Sequence, residues 1–102
     1  MRVSLGKADL PAGAMRGRSA GPGRWVVVAN VGGAYYAIDD WCNHAGCLLS
    51  EGRLEGPLVV CPCHGMTFDV RSGEARSTPR LCDDQRSHPV RVEDGELWIE
   101  VD

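Results

Sequence analysis

Two short segments concentrate the reactive side chains of this chain. Cys42-Asn43-His44 and Cys61-Pro62-Cys63-His64 each supply a thiol and an imidazole, in Cys-x-His and Cys-x2-His order. Thiolate and neutral imidazole are ligands of zinc and iron. Two thiolates and two imidazoles suit one tetrahedral Zn²⁺. They also suit a 2Fe–2S cluster with one iron bound by cysteine and the other by histidine. The order of the ligands bears on the choice. Zinc fingers and ribbons usually pair cysteines as Cys-x2–4-Cys, whereas here each segment brings a mixed pair. A mixed pair lets deeper thiolates bind an inner iron while the imidazoles reach an outer iron near the surface.

Something must hold these segments together, and strand signals dominate the rest of the chain. Residues 25–30 and 34–39 are β-rich runs on either side of Val31-Gly32-Gly33, which reads as a hairpin. Near the end, residues 89–93 and 96–101 flank Asp94-Gly95. There Val90 and Val92 alternate with charges, as do Leu97, Ile99 and Val101, the period of a half-buried strand. Asp-Gly supplies the positive φ angles of a type I′ turn. Between the hairpins, residues 41–70 hold four of the five cysteines and two of the three histidines. Residues 58–60 and 67–70 are short strand candidates inside that stretch, and residues 71–87 read as a polar loop. Nothing shows sustained helical periodicity or an internal repeat. An all-β domain carrying an inserted, loop-built site fits this layout.

Composition narrows the function. A chain of 102 residues makes one domain. Its net charge of −3 argues against nucleic acid as a partner. Five cysteines are an odd number, so disulfides alone do not use them all. The polar start of the chain lacks the apolar core of a signal peptide. The most apolar stretch, residues 25–38, is interrupted by Asn30 and Gly32-Gly33 and falls short of a membrane span. The sequence therefore reads as that of a soluble, cytoplasmic monomer.

The pattern Cys42-x-His44…Cys61-x2-His64 resembles the Rieske iron–sulfur signature. The resemblance extends to Gly46 and Gly65 and to the run Cys61-Pro62-Cys63-His64-Gly65-Met66-Thr67-Phe68-Asp69. It covers nearly the whole chain, since residues 90–100 look like the closing hairpin of small Rieske ferredoxins. It implies stacked antiparallel sheets: a basal β part at about 1–40 and 76–102, and a cluster-binding part at about 41–75. It also implies one Rieske-type 2Fe–2S cluster, with Cys42 and Cys61 on the inner iron and His44 and His64 on the outer one.

Other positions carry over one by one. In the Rieske proteins of cytochrome bc complexes, cysteines placed like Cys47 and Cys63 form a disulfide that ties the cluster loops together. The resemblance thus implies a Cys47–Cys63 disulfide, with two inert thiols as the alternative. After the position of Gly65, the high-potential branch of the family carries a Ser and, two residues on, a Tyr. Their hydroxyls donate to cluster sulfurs and raise the potential. Met66 and Phe68 stand there in this chain, which implies a potential low in the Rieske range of roughly −150 to +300 mV. The Cys47/Cys63 pair points the other way. Pro79 is the one residue carried over from the proline-containing loop that covers the cluster in the family.

The function so implied is that of a one-electron carrier, not itself an enzyme. It takes electrons from a reductase, flavin-containing in this reading, and passes them to a terminal oxygenase or related oxidoreductase. Two other readings stay open. One is a small subunit of a larger oxidoreductase of the arsenite oxidase type; the other is a zinc- or disulfide-stabilised interaction module. Several residues receive plain readings. Cys82 is a thiol without function, and His88 a strand-edge histidine. Trp41 is expected to pack between the site and the basal sheets. Glu93, Asp94, Glu96, Glu100 and Asp102 form a solvated acidic hairpin, also able to steer a basic partner.

Overall fold

The computed structural model describes residues 1–43, 46–63, 65–76 and 83–101. Its central element is the hydrophobic run expected from the sequence. β3 (Trp25–Val31) and β4 (Ala34–Asp39) pair antiparallel across Gly32-Gly33, from Val31 opposite Ala34 to Val26 opposite Asp39. β2 (Met15–Ser19) flanks β3, and β8 (Ser87–His88) flanks β4, giving the order β2-β3-β4-β8. β3 shows why residues 25–29 of its sequence are continuously apolar. Val27 and Ala29 enter one core while Val26 and Val28 enter another, so both faces of the strand are buried.

A sheet lies against each of those cores. On one side is β1-β10-β9, with β1 at Arg2–Lys7, β9 at Val90–Glu93 and β10 at Glu96–Glu100. Leu97 and Ile99 of β10 face inward with Leu5 of β1. The β9–β10 turn carries Asp94 at φ 54° and Gly95 at φ 75°, the left-handed pair that the Asp-Gly sequence predicts. On the other side is β5-β6-β7, with β5 at Arg53–Glu55, β6 at Leu58–Val60 and β7 at Thr67–Asp69. Val59 and Phe68, opposite one another in β6 and β7, join Val27, Ile38 and Leu49 in its core. All pairings are antiparallel, and the one helical element among the described residues is a 3₁₀ turn at Leu49–Glu51.

Four strands were not expected. β1 opens the chain in a stretch read merely as polar, and β2 and β5 follow sequences with little apolar alternation. β2 and β5 are edge strands with no fully buried residue, so they need no hydrophobic period. β8 is two residues long and lies at the end of the segment read as a polar loop.

Candidate metal centre

Two loops of like construction hold four of the five cysteines. One follows β4 and runs from Cys42 to Cys47; the other leaves β6 and runs from Cys61 to Met66. In the first, the Cys42 amide donates to the Cys47 carbonyl at 2.8 Å, and the Gly46 amide donates to the Cys42 carbonyl at 2.8 Å. In the second, the Cys61 amide donates to the Met66 carbonyl at 2.8 Å, and the Gly65 amide donates to the Cys61 carbonyl at 3.1 Å. Each loop is closed at the same two places. Gly46 and Gly65 adopt φ 70° and 71°, left-handed values at which a side chain would be strained. That geometry is what the two glycines of the motif supply.

The loop frames set depth. Cys42 and Cys61 lie at the loop bases, 2% and 1% exposed, in the core formed with Leu49, Val59 and Phe68. Asn43, Gly46, Pro62, Cys63 and Gly65, nearer the loop tips, are exposed. A disulfide joins Cys47 to Cys63 with 6.4 Å between Cα atoms, linking one loop to the other. Cys42 and Cys61 lie outside it. Met66 packs half-buried against the same core, and Phe68 is fully buried in it. Neither side chain carries a hydroxyl or amide to donate. His44, His64, Pro79, Cys82 and Asp102 lie outside the described residues.

The bases of the loops are anchored by residues the sequence did not single out. Asp40 is fully buried, and its carboxylate accepts from the Ser50 amide and the Ser50 hydroxyl, each at 2.7 Å. Its backbone amide donates to Trp25 at 3.0 Å, and its carbonyl accepts from Leu49 at 2.8 Å. Gly52, just after the 3₁₀ turn, lies so close to β6 that an added Cβ would stand 1.8 Å from the Val60 carbonyl oxygen. At the end of β7, Arg71 binds Asp69 through its amide and two guanidinium nitrogens, at 2.9, 3.0 and 2.8 Å. Those side-chain hydrogen bonds hold the Asp69 carboxyl below its ordinary range, against the opposing effect of burial.

One plain reading changes and another gains a partner. Trp41 does not pack between site and base: the residue is 50% exposed. Successive side chains of extended backbone point to opposite faces, so a buried Cys42 turns its neighbour outward. His88 does sit on an edge strand, as expected, but it is buried, and its Nε2 lies 2.8 Å from the Asp39 carboxylate. Of the acidic hairpin, Glu93, Asp94 and Glu100 are exposed and Glu96 is half-buried.

The donor set fits the cysteine half of a 2Fe–2S site. Two buried thiols, outside any disulfide, occupy the same position in two loops that a covalent bond joins. The two histidines of the motif are neighbours of these cysteines in the sequence alone, His44 two residues after Cys42 and His64 three after Cys61.

Comparison with known proteins agrees. The ferredoxin subunit of 3-phenylpropionate/cinnamic acid dioxygenase from Escherichia coli (strain K12) is 37% identical over 95 residues, 92% of this chain and 87% of that protein. The ferredoxin component of biphenyl 2,3-dioxygenase from Rhodococcus jostii (strain RHA1) is 37% identical over 94 residues, 92% of this chain and 86% of that one. Among solved structures, a chain from the complex of reduced oxygenase and oxidized ferredoxin in carbazole 1,9a-dioxygenase superposes with a TM-score of 0.87. Its identity is 30%, covering 96% of this chain and all of that one. The Rieske [2Fe-2S] domain description matches residues 2–91. The loops, their buried thiols and this match, which spans most of the sequence, lead to one assignment: the chain belongs to the Rieske [2Fe-2S] domain family.

Proposed function

We infer that the chain is the ferredoxin of an oxygenase system, carrying single electrons from a reductase to a terminal oxygenase on a Rieske-type 2Fe–2S cluster. It is an electron carrier rather than an enzyme. The observation that carries the ligand assignment is the pair of like loops. In this proposal Cys42 and Cys61 hold the inner iron, and His44 and His64 the outer one. Residues 41–75 are then the cluster-binding part, and the remainder is the base. Because named relatives serve dioxygenases of phenylpropionate and biphenyl, the proposed oxygenase partner acts on an aromatic compound. A cytoplasmic address belongs to the same proposal. No helix among the described residues is long and apolar enough to cross a membrane.

When bound, the cluster supplies a site that takes up and gives back one electron. The chain's own residues do the rest. Buried thiolates at the loop bases are shielded from water, while exposed loop tips leave a face for a partner to approach. The Cys47–Cys63 bond and the two closed loop frames hold that face rigid, which limits rearrangement on electron transfer.

Purification without air followed by iron, acid-labile sulfide and visible spectroscopy tests the reading. A red-brown protein with equal iron and sulfide is expected, losing colour in Cys42→Ser and His64→Ala. A colourless protein holding zinc would overturn it. Reduction by a flavin-containing reductase, and reoxidation by an aromatic-ring oxygenase, would then identify the partners.

A further inference from the structure

We infer that Gln85 is a positioning residue for the first cysteine ligand, fixing the backbone of Cys42 from outside the loop. Gln85 is 5% exposed and lies in the segment leading to β8, far along the chain from Cys42. Its amide oxygen accepts from the Asn43 backbone N–H at 3.0 Å and from the Asn43 side chain. Its amide nitrogen donates to the Trp41 carbonyl at 2.7 Å and to the Asp39 carbonyl at 2.9 Å. The Trp41 carbonyl belongs to the peptide unit before the Cα of Cys42, and the Asn43 N–H to the unit after it. Peptide units are planar, so the two rotations between them are the φ and ψ of Cys42. One side-chain amide therefore grips both planes that define the backbone of that cysteine.

Gln85 is itself tied down. Its own N–H donates to the Gly73 carbonyl at 2.7 Å, and an added Cβ at Gly73 would stand 1.9 Å from the Gln85 carbonyl oxygen. Beside it, the Asn43 side chain donates to the Asp83 carbonyl at 2.7 Å and accepts from the Asp83 N–H at 3.1 Å.

Comparison of the two loops says why the clasp serves one of them. Asn43 and Pro62 occupy the same place, one residue after the cysteine. Pro62 has no N–H to satisfy, and its ring restricts the backbone of Cys61 before it. Asn43 has neither property, and Gln85 supplies the missing partner and constraint. The second loop carries its constraint in its sequence; the first receives it from a distant residue.

The assignment rests on reading Cys42 as a ligand, and its test separates the two. In Gln85→Ala, hydrogen exchange of the peptide carrying Asn43, read by mass spectrometry, should speed at the Asn43 amide by about tenfold, as expected for loss of one half-buried hydrogen bond. The g values of the reduced cluster in electron paramagnetic resonance should shift. Asn43→Pro in the same background, which copies the second loop, should return them toward those of the parent. Ile99→Val, a core change in the distant β10, should leave both readouts as they are. Unchanged exchange and g values in Gln85→Ala would overturn the proposal, as would the same shift in Ile99→Val. Should Gln85→Ala fail to load, Gln85→Glu carries the test, because it keeps an acceptor for Asn43 and loses both donors. Loss of the cluster from both variants with the β-sheet circular dichroism intact supports positioning; loss together with the fold overturns it. If Cys42→Ser keeps its cluster, the ligand reading falls, while the Asn43 exchange still reports on the clasp.

Discussion

Ser50 grips both carboxylate oxygens of the fully buried Asp40, through its amide and its hydroxyl, at 2.7 Å each. The pair locks the 3₁₀ turn to the strand end from which Cys42 departs. Ser50→Ala removes one donor and leaves a buried carboxylate oxygen short of a partner. The expected loss is about 1–3 kcal/mol of stability, read as a lower denaturant midpoint. A loss within about 0.5 kcal/mol, the range of an ordinary surface change, would show that the grip contributes little.

The disulfide between Cys47 and Cys63 closes a sequence separation of 16 residues. Constraint of the unfolded chain by a loop of that size stabilises by about 3 kcal/mol. Replacing both cysteines by serine should lower the melting temperature by roughly 10–20 °C for a domain of this size. The double variant should still assemble the cluster, since Cys42 and Cys61 remain. Spectra of the purified variant, with its melting curve, check both parts.

Glycines near the site should differ in sensitivity for different reasons. At Gly46 and Gly65 an added Cβ meets no atom of the described residues within 4 Å, so alanine there costs mainly backbone strain, about 1–2 kcal/mol. Gly52 lacks the left-handed φ, yet its Cβ would run into the Val60 carbonyl. Gly52→Ala should therefore exceed either of the others, at roughly 3 kcal/mol or more. Chemical denaturation of the three variants ranks them, and equal losses would refute the distinction.

Asp69 gives a pH dependence of known sign. Its carboxyl is held below the ordinary 3.8 by the Arg71 hydrogen bonds, so the unfolded chain binds its proton more readily than the folded one. The stability it contributes is full above the unfolded value and is lost as pH falls through the lower, folded value. Asp69→Asn should be less stable than the parent near neutrality, with the gap narrowing below about pH 4. Denaturant midpoints across that range decide it; a gap that stays constant would remove Arg71 as the cause.

Phe68 lies fully buried in the core that holds both cysteines, and its ring carries no donor. Phe68→Tyr places a hydroxyl where the high-potential branch of the family has one. The midpoint potential should rise within the range of roughly −150 to +300 mV open to such clusters. Protein-film voltammetry measures it, and a lower or unchanged value would count against a donor at this position.

The sequence by itself determined the features set by neighbouring residues. The β3–β4 hairpin follows from apolar runs and the β9–β10 hairpin from apolar alternation, each across a glycine turn, and the motif spacing placed Cys42 in one loop and Cys61 in another. The edge strands β2 and β5 are not legible in the sequence because they bury no complete side chain and so show no hydrophobic period. Only the tertiary structure decided which groups distant in the chain meet. Gln85 reaches Asn43 across 42 positions, and His88 reaches Asp39 across 49. A hydrogen bond between two ordinary polar residues leaves no spacing rule, because its geometry exists only once three sheets have packed. Trp41 shows the same limit: alternation can say that it opposes Cys42, but only packing decides which of the two is buried.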